Sequence, residues 1–217
     1  MGTLYAAYCE NKYLFFLKRI KAKVLKIFSL FLIISTFVIL FYSCQPSLKT
    51  LSVTAPDVVV AKEDSLLALS KDKRPEFVTI LTTAHINIAR RAESTGDISA
   101  AVDEYQKVLK IDPTNKTARY ELLVLEGLNL YSKGSKSALW DAIELFSKAA
   151  SIDMDSGVAN YWIAKSYEKK DSKDFELIIE AYEQALIKKL PDDLRQDAED
   201  AKNIAYKNKT ILNKFWK

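Results

Sequence analysis

One figure limits what this chain can fold into: a small or aliphatic residue, an aromatic or similar large residue four positions on, and another small or aliphatic residue three after that. It reads Ala101, Tyr105, Val108, returns as Ala142, Phe146, Ala149, and again, less well, as Ile178, Tyr182, Ala185. Spacings of four and three place all members of a figure on one face of an α-helix. Small residues on that face let a neighbouring helix approach closely, and the large ring fills the space between turns. Three copies predict one all-α unit stacked three times, each copy leaning on the next, rather than a single closed core.

Each figure is preceded by a first helix with its own small residues: Ile88, Ala89 and Ala92 before the first, Ile163, Ala164 and Tyr167 before the third. Gly96 and Asp97 supply a left-handed helix stop followed by a helix cap. Pro113 stands five residues after Val108 and ends the second helix. Counting back from that proline, unit one runs from Thr82 to Asn115, 34 residues. That period, with the small and aromatic residues quoted above, resembles the tetratricopeptide repeat. The resemblance extends over roughly Thr82 to Asp192 and implies a short α-solenoid of three helix pairs: 82–115, 116–156 and 157–192. Unit two is 41 residues long, has Met154 where unit one has Pro113, and places its seven added residues in a longer hairpin around Ser132 to Ser137. The family's tryptophan near the start of the first helix is absent, since His85, Arg119 and Asn160 stand there; Tyr120 and Tyr161, one residue later, are the substitutes.

Outside the repeats, Gln45 to Asp57 has two prolines and little periodicity, so 44–57 reads as a tether. Residues 58–81 read as helices packing on the repeats, through Val59, Leu66, Leu67 and Leu69 and then Phe77, Ile80 and Leu81, with Pro75 as the first residue of the second helix, which leads through Ala84 into unit one. After unit three, Pro191 and Asp192 restart the chain as a closing helix carrying Leu194, Ala198, Ala201, Ile204, Ala205 and Leu212. A stack of helix pairs needs such an end. Residues 193–217 are therefore a capping helix with a basic tail, in which Lys202, Lys207, Lys209, Lys214 and Lys217 meet no acid.

The beginning of the chain has a different grammar. Lys12, Lys18, Arg19, Lys21, Lys23 and Lys26 face one acid, Glu10; an uncharged run then follows from Ile27, and Ser43 precedes Cys44. Basic, then apolar, then small is the order of an export signal. With Cys44 at the junction it resembles a bacterial lipoprotein signal (n-region 1–26, apolar region 27–43), which implies cleavage before Cys44 and fatty acylation, palmitate among the chains, on that residue. Phe41 stands where that family usually has leucine. The alternative is an uncleaved anchor, because Ile27 to Leu48 approaches the roughly 20 residues that span hydrocarbon. Either reading puts the repeats beyond the cytoplasm. Gln45 after the cysteine favours the outer membrane by analogy with enterobacterial sorting. A start placed too early is one explanation of the long n-region, although no methionine follows Met1 before Met154, and Ala6 argues against myristoylation of Gly2. Cys9 and Cys44 leave no pair for a disulfide in the mature domain.

Charge and residue types narrow the function. The 32 basic and 28 acidic residues become 26 and 27 once residues 1–43 are set aside, which argues against nucleic-acid binding. His85 has no Cys, Glu or second His at ligand spacing, so a packing or hydrogen-bonding role is expected and no metal. The scattered glycines form no phosphate loop, and no cofactor or catalytic residue is indicated. The acid pairs Asp192–Asp193 and Glu199–Asp200 read as solvated caps. The resemblance implies a concave groove lined by the first helix of each pair, at Ile86 and Arg90, Tyr120 and Val124, and Tyr161 and Lys165; packing of Tyr120 and Val124 by neighbouring helices is the alternative. The carboxylate-clamping subclass is not expected, because Ile86, Glu121 and Trp162 occupy clamp positions. The whole reads as a lipid-anchored adaptor of the bacterial envelope, with its domain in the periplasm and an envelope protein or peptide as partner, in outer-membrane, pilus or secretin, or cell-wall assembly. Its rivals are a signal-anchored inner-membrane protein with the same repeats and an enzyme with an unrecognised site.

Overall fold

The computed structural model describes residues 46–69 and 74–215. The signal segment, Cys9 and Cys44 lie outside the described residues. Leu48–Lys217 forms one compact unit. Its described helices are α1 (Leu48–Thr54), α2 (Pro56–Val60), α3 (Glu63–Leu67), α4 (Arg74–Ser94), α5 (Ile98–Ile111), α6 (Lys116–Lys133), α7 (Lys136–Ile152), α8 (Val158–Lys170), α9 (Phe175–Leu186) and α10 (Asp192–Phe215). Three hairpins, α4–α5, α6–α7 and α8–α9, follow one another as a short α-solenoid, and α10 packs on α9.

The repeated figure is what the hairpins bury. Ala101, Tyr105, Val108, Ala142, Phe146, Ala149, Ile178, Tyr182 and Ala185 are each at most 1% exposed. Between units two and three, the Trp162 ring of α8 meets Tyr131 of α6 edge-on at 5.3 Å and stacks with Phe146 of α7 at 6.3 Å. One aromatic cluster thereby joins three helices. The helix ends follow local chemistry. Gly96 sits at φ 80°, and the Gly96 and Asp97 amides return to the carbonyls of Glu93 and Ala92 in the paired pattern of a left-handed helix stop. Asp97 then caps α5 by accepting from the Ala100 amide at 3.0 Å, as Asn115 caps α6 by accepting from Ala118 at 3.1 Å.

Three expectations are corrected, on the tether, on Leu69 and on the outer face of α10. The seven added residues of unit two lie in its helices: α6 and α7 have 18 and 17 residues against 13 and 12 in α8 and α9. Two residues suffice for the connection because Gly134 turns left-handed at φ 70° and Ser135 at once caps α7. Much of the segment read as a tether is helical and packed. α1 buries Ser52, and the Ser52 carbonyl accepts a 3.1 Å hydrogen bond from Asn87 of α4. Val59 and Leu66 are buried over the start of α4 beside Ile80 and Leu81, whereas Leu69 lies beyond the end of α3 and is exposed. On α10, Ala198, Ala201 and Ala205 are buried as expected, but Ile204 and Leu212 are exposed.

His85 is wholly buried. Its Nδ1 donates to Glu104 Oε2 at 2.6 Å, and its Nε2 lies 3.4 Å from Glu63 Oε2 without a hydrogen bond. Burial raises the Glu104 carboxyl, but hydrogen bonds from His85 and Lys107 outweigh it and hold Glu104 below its ordinary range. The histidine thus ties α4 to α5 and approaches α3. Its role is packing and hydrogen bonding.

Candidate partner-binding groove

The six sequence-derived groove positions do not form one surface. Arg90, Tyr120 and Val124 come together in a concavity of about 500 Å³ between α4, α6 and the segment joining α7 to α8. Ile86 instead packs into the core shared by α4, α5 and α6. Tyr161 is 5% exposed and donates to Asp197 Oδ2 of α10 at 2.7 Å, while Lys165 Nζ lies 3.4 Å from the same oxygen. The closing helix has claimed those two.

The floor of the concavity is apolar and fixed. Tyr120 and Val124 are 9% and 7% exposed, so the packing alternative describes most of their surface. The Tyr120 hydroxyl and Ser156 Oγ are 2.9 Å apart, which locks the ring against the α7–α8 connection. Ile152 and Val158 extend the apolar lining from that connection. The rim is charged: Arg90 and Lys116 on one hand, Glu121 and Asp153 on the other.

Asp153 and Ser156 were not among the sequence-derived positions, and Glu121 stood there only as an occupant of a clamp position. Thr117, Tyr120, Glu121 and Val124 recur at the three- and four-residue steps of one helix face, which brings Glu121 into the lining. Asp153 and Ser156 belong to a connection whose shape the repeat does not dictate. Burial is the main cause that pushes the Glu121 pKa up to about 7, with the Glu93 charge next, Arg90 opposing and Asp153 adding to the rise. A carboxyl with a raised native pKa holds its proton more tightly folded than unfolded. Its contribution is therefore most favourable below pH ~4.5 and is lost as pH rises through about 7. Glu121→Gln, which keeps the shape and removes the charge, should match the parent near pH 4. At pH 8 it should exceed the parent by about 1–2 kcal/mol, after allowance for solvent screening. Urea midpoints at the two pH values measure this, and an equal difference at both would contradict the assignment.

No curated protein matches the chain. Residues 82–115, spanning the end of α4, all of α5 and the Asn115 cap of α6, match the family model of the tetratricopeptide repeat. Repeats of this family are typically non-catalytic and bind protein partners. The stack of α4 to α10 is accordingly a short α-solenoid built on a tetratricopeptide repeat at residues 82–115.

Proposed function

We propose that the protein is an adaptor of the bacterial cell envelope, anchored by lipid on Cys44, with its helical domain in the periplasm and its concavity occupied by a segment of an envelope protein. The observation that carries the binding role is the concavity: an apolar floor of Tyr120 and Val124, rimmed by Arg90 and by Glu121, a carboxyl that makes no hydrogen bond with another described residue. Such a surface suits an apolar side chain flanked by a basic one, whose cation would sit beside Glu121. A terminal carboxylate would be repelled there. Binding of a cationic side chain requires the ionised acid, so capture should strengthen as pH rises through about 7 and this dependence should flatten in Glu121→Gln.

A photoreactive amino acid at Lys116, on the rim, should crosslink a defined envelope protein in the native host, and the same group at Lys148 on α7 should not. Glu121→Lys should reduce that crosslink about tenfold with helicity unchanged, the scale of one lost charged contact. Identical products from both positions, or a Glu121→Lys variant that crosslinks as well as the parent, refutes the groove. The support for the anchor is the sequence around Ser43 and Cys44, and Gln45 favours the outer membrane. A fatty-acid probe should label the parent and not Cys44→Ala; no label on either favours the uncleaved inner-membrane anchor.

A further inference from the structure

The last helix runs past the stack it closes. α10 has 24 residues and α9 has 12. The two lie antiparallel, with Arg195 bonded to the Leu186 carbonyl at the end of α9, and Lys209 Nζ 3.0 Å from Glu176 in the first turn of α9. By Lys209 the partner helix is used up. No described residue of α10 after Ala205 is buried.

The overhanging portion is nonetheless patterned. Ile204 and Ile211 are seven residues apart and 58% and 56% exposed, and Leu212 beside them is 39% exposed. Seven residues is nearly two turns, so these form one stripe along the helix. Lys207 and Lys214, also seven apart, follow each isoleucine by three residues and run along one edge of the stripe. Lys202 and Lys209, again seven apart, run along the other side. From Ala201 to Phe215 there is no acid. Lys202, Lys207 and Lys214 form no ion pair with another described residue, and only Lys209 has found one, on Glu176.

An apolar stripe with lysines of one sign on both sides is the pattern of a helix that lies in a lipid interface: the aliphatic residues enter the acyl boundary and the lysine stems reach back to anionic headgroups. A flat, uniformly negative surface satisfies both edges at once, whereas an acidic protein would have to supply matching charges at two separated positions. We infer that the C-terminal half of α10 lies on an anionic phospholipid membrane, with Ile204, Ile211 and Leu212 immersed and Lys207 and Lys214 on the headgroups. This contact does not depend on the groove and brings the last helix of the solenoid to a bilayer.

The test uses the full chain carrying a fluorescent amino acid at Asn208, an exposed position among these residues, reconstituted into vesicles of phosphatidylcholine alone or mixed with phosphatidylglycerol. With phosphatidylglycerol the emission should shift to shorter wavelength and resist quenching by acrylamide. In phosphatidylcholine it should stay accessible. Lys207→Glu with Lys214→Glu should shift the tail's membrane equilibrium roughly thirtyfold toward the free form, from a factor of about five per cation lost. Ile211→Asp with all lysines kept should also expose the probe, with far-UV helicity unchanged in both variants. Equal accessibility in the two vesicle types overturns the inference, as does protection that survives the double lysine substitution. Protection already present on neutral vesicles would assign the face to another protein surface, such as a second copy of the chain. Loss of tail immersion with Lys116 crosslinking intact would leave the groove reading standing.

Discussion

Phe146→Ala is expected to destabilise the solenoid by about 3–5 kcal/mol, the range for deleting a fully buried phenyl ring. The ring is 0% exposed, and its effect extends beyond its own hairpin. On one side it fills a notch at Gly127 of α6, where an added Cβ would stand 2.5 Å from Phe146 Cε1. On the other it stacks on Trp162 of α8. Loss of the ring therefore loosens α6 from α7 and unit two from unit three together. The notch makes a sharper test. Gly127→Leu alone should overpack and cost about 1–3 kcal/mol, more than any helix-propensity gain from replacing glycine. In the Phe146→Ala background the leucine can enter the vacated volume, so the double variant should be more stable than the sum of the singles predicts by at least ~1 kcal/mol. Urea unfolding of the four proteins gives the coupling directly. Additive losses would mean that the ring and the notch do not share space.

The fold was legible where burial repeats and opaque where polar atoms decide. All nine residues of the figure lie in the core, because close helix packing needs small and large side chains at fixed steps, and that need is written in residue type. The stop at Gly96 and Asp97 was legible for a similar reason. α1 was not. Its one buried residue is Ser52, Leu48 and Leu51 are only partly buried against the core at the start of α4, and its hydrogen bond to α4 runs through a backbone carbonyl, so hydrophobic spacing carries only a faint trace of it. The two-residue turn at Gly134 was hidden among the polar residues from Ser132 to Ser137, which mark the tip of the hairpin without showing where either helix ends. In the groove, Arg90, Tyr120 and Val124 follow from repeat register, since all three sit on first helices. Tyr161 and Lys165 share that register and are still lost to the groove, because Asp197 on the closing helix draws them away. Register within a repeat says where a residue points; the element stacked beside it decides whether that direction ends in solvent.

Gly157→Ala should cost about 3 kcal/mol and weaken the groove as well. The backbone of Gly157 is ordinary, at φ −88° and ψ −10°, so alanine meets no conformational penalty there. The difficulty is approach: a Cβ would stand 2.4 Å from the Ala185 carbonyl oxygen and 3.3 Å from the Lys189 oxygen, both backbone atoms that cannot swing aside as a side chain can. Here the start of α8 is laced to the end of α9, with the Gly157 amide donating to Lys189 at 2.8 Å and the Lys189 amide donating to Asp155 at 2.9 Å. Making room for one methyl group parts these strands of chain, adding roughly 0.5–1.5 kcal/mol for each hydrogen bond lost to the overpacking strain. The displacement reaches the binding surface because the neighbouring Ser156 holds the Tyr120 hydroxyl. Reduced crosslinking from Lys116 should therefore accompany the lowered urea midpoint. A variant as stable as the parent would remove the close approach from consideration. A destabilised variant with undiminished crosslinking would show instead that the Tyr120 floor holds its shape without the connection below it.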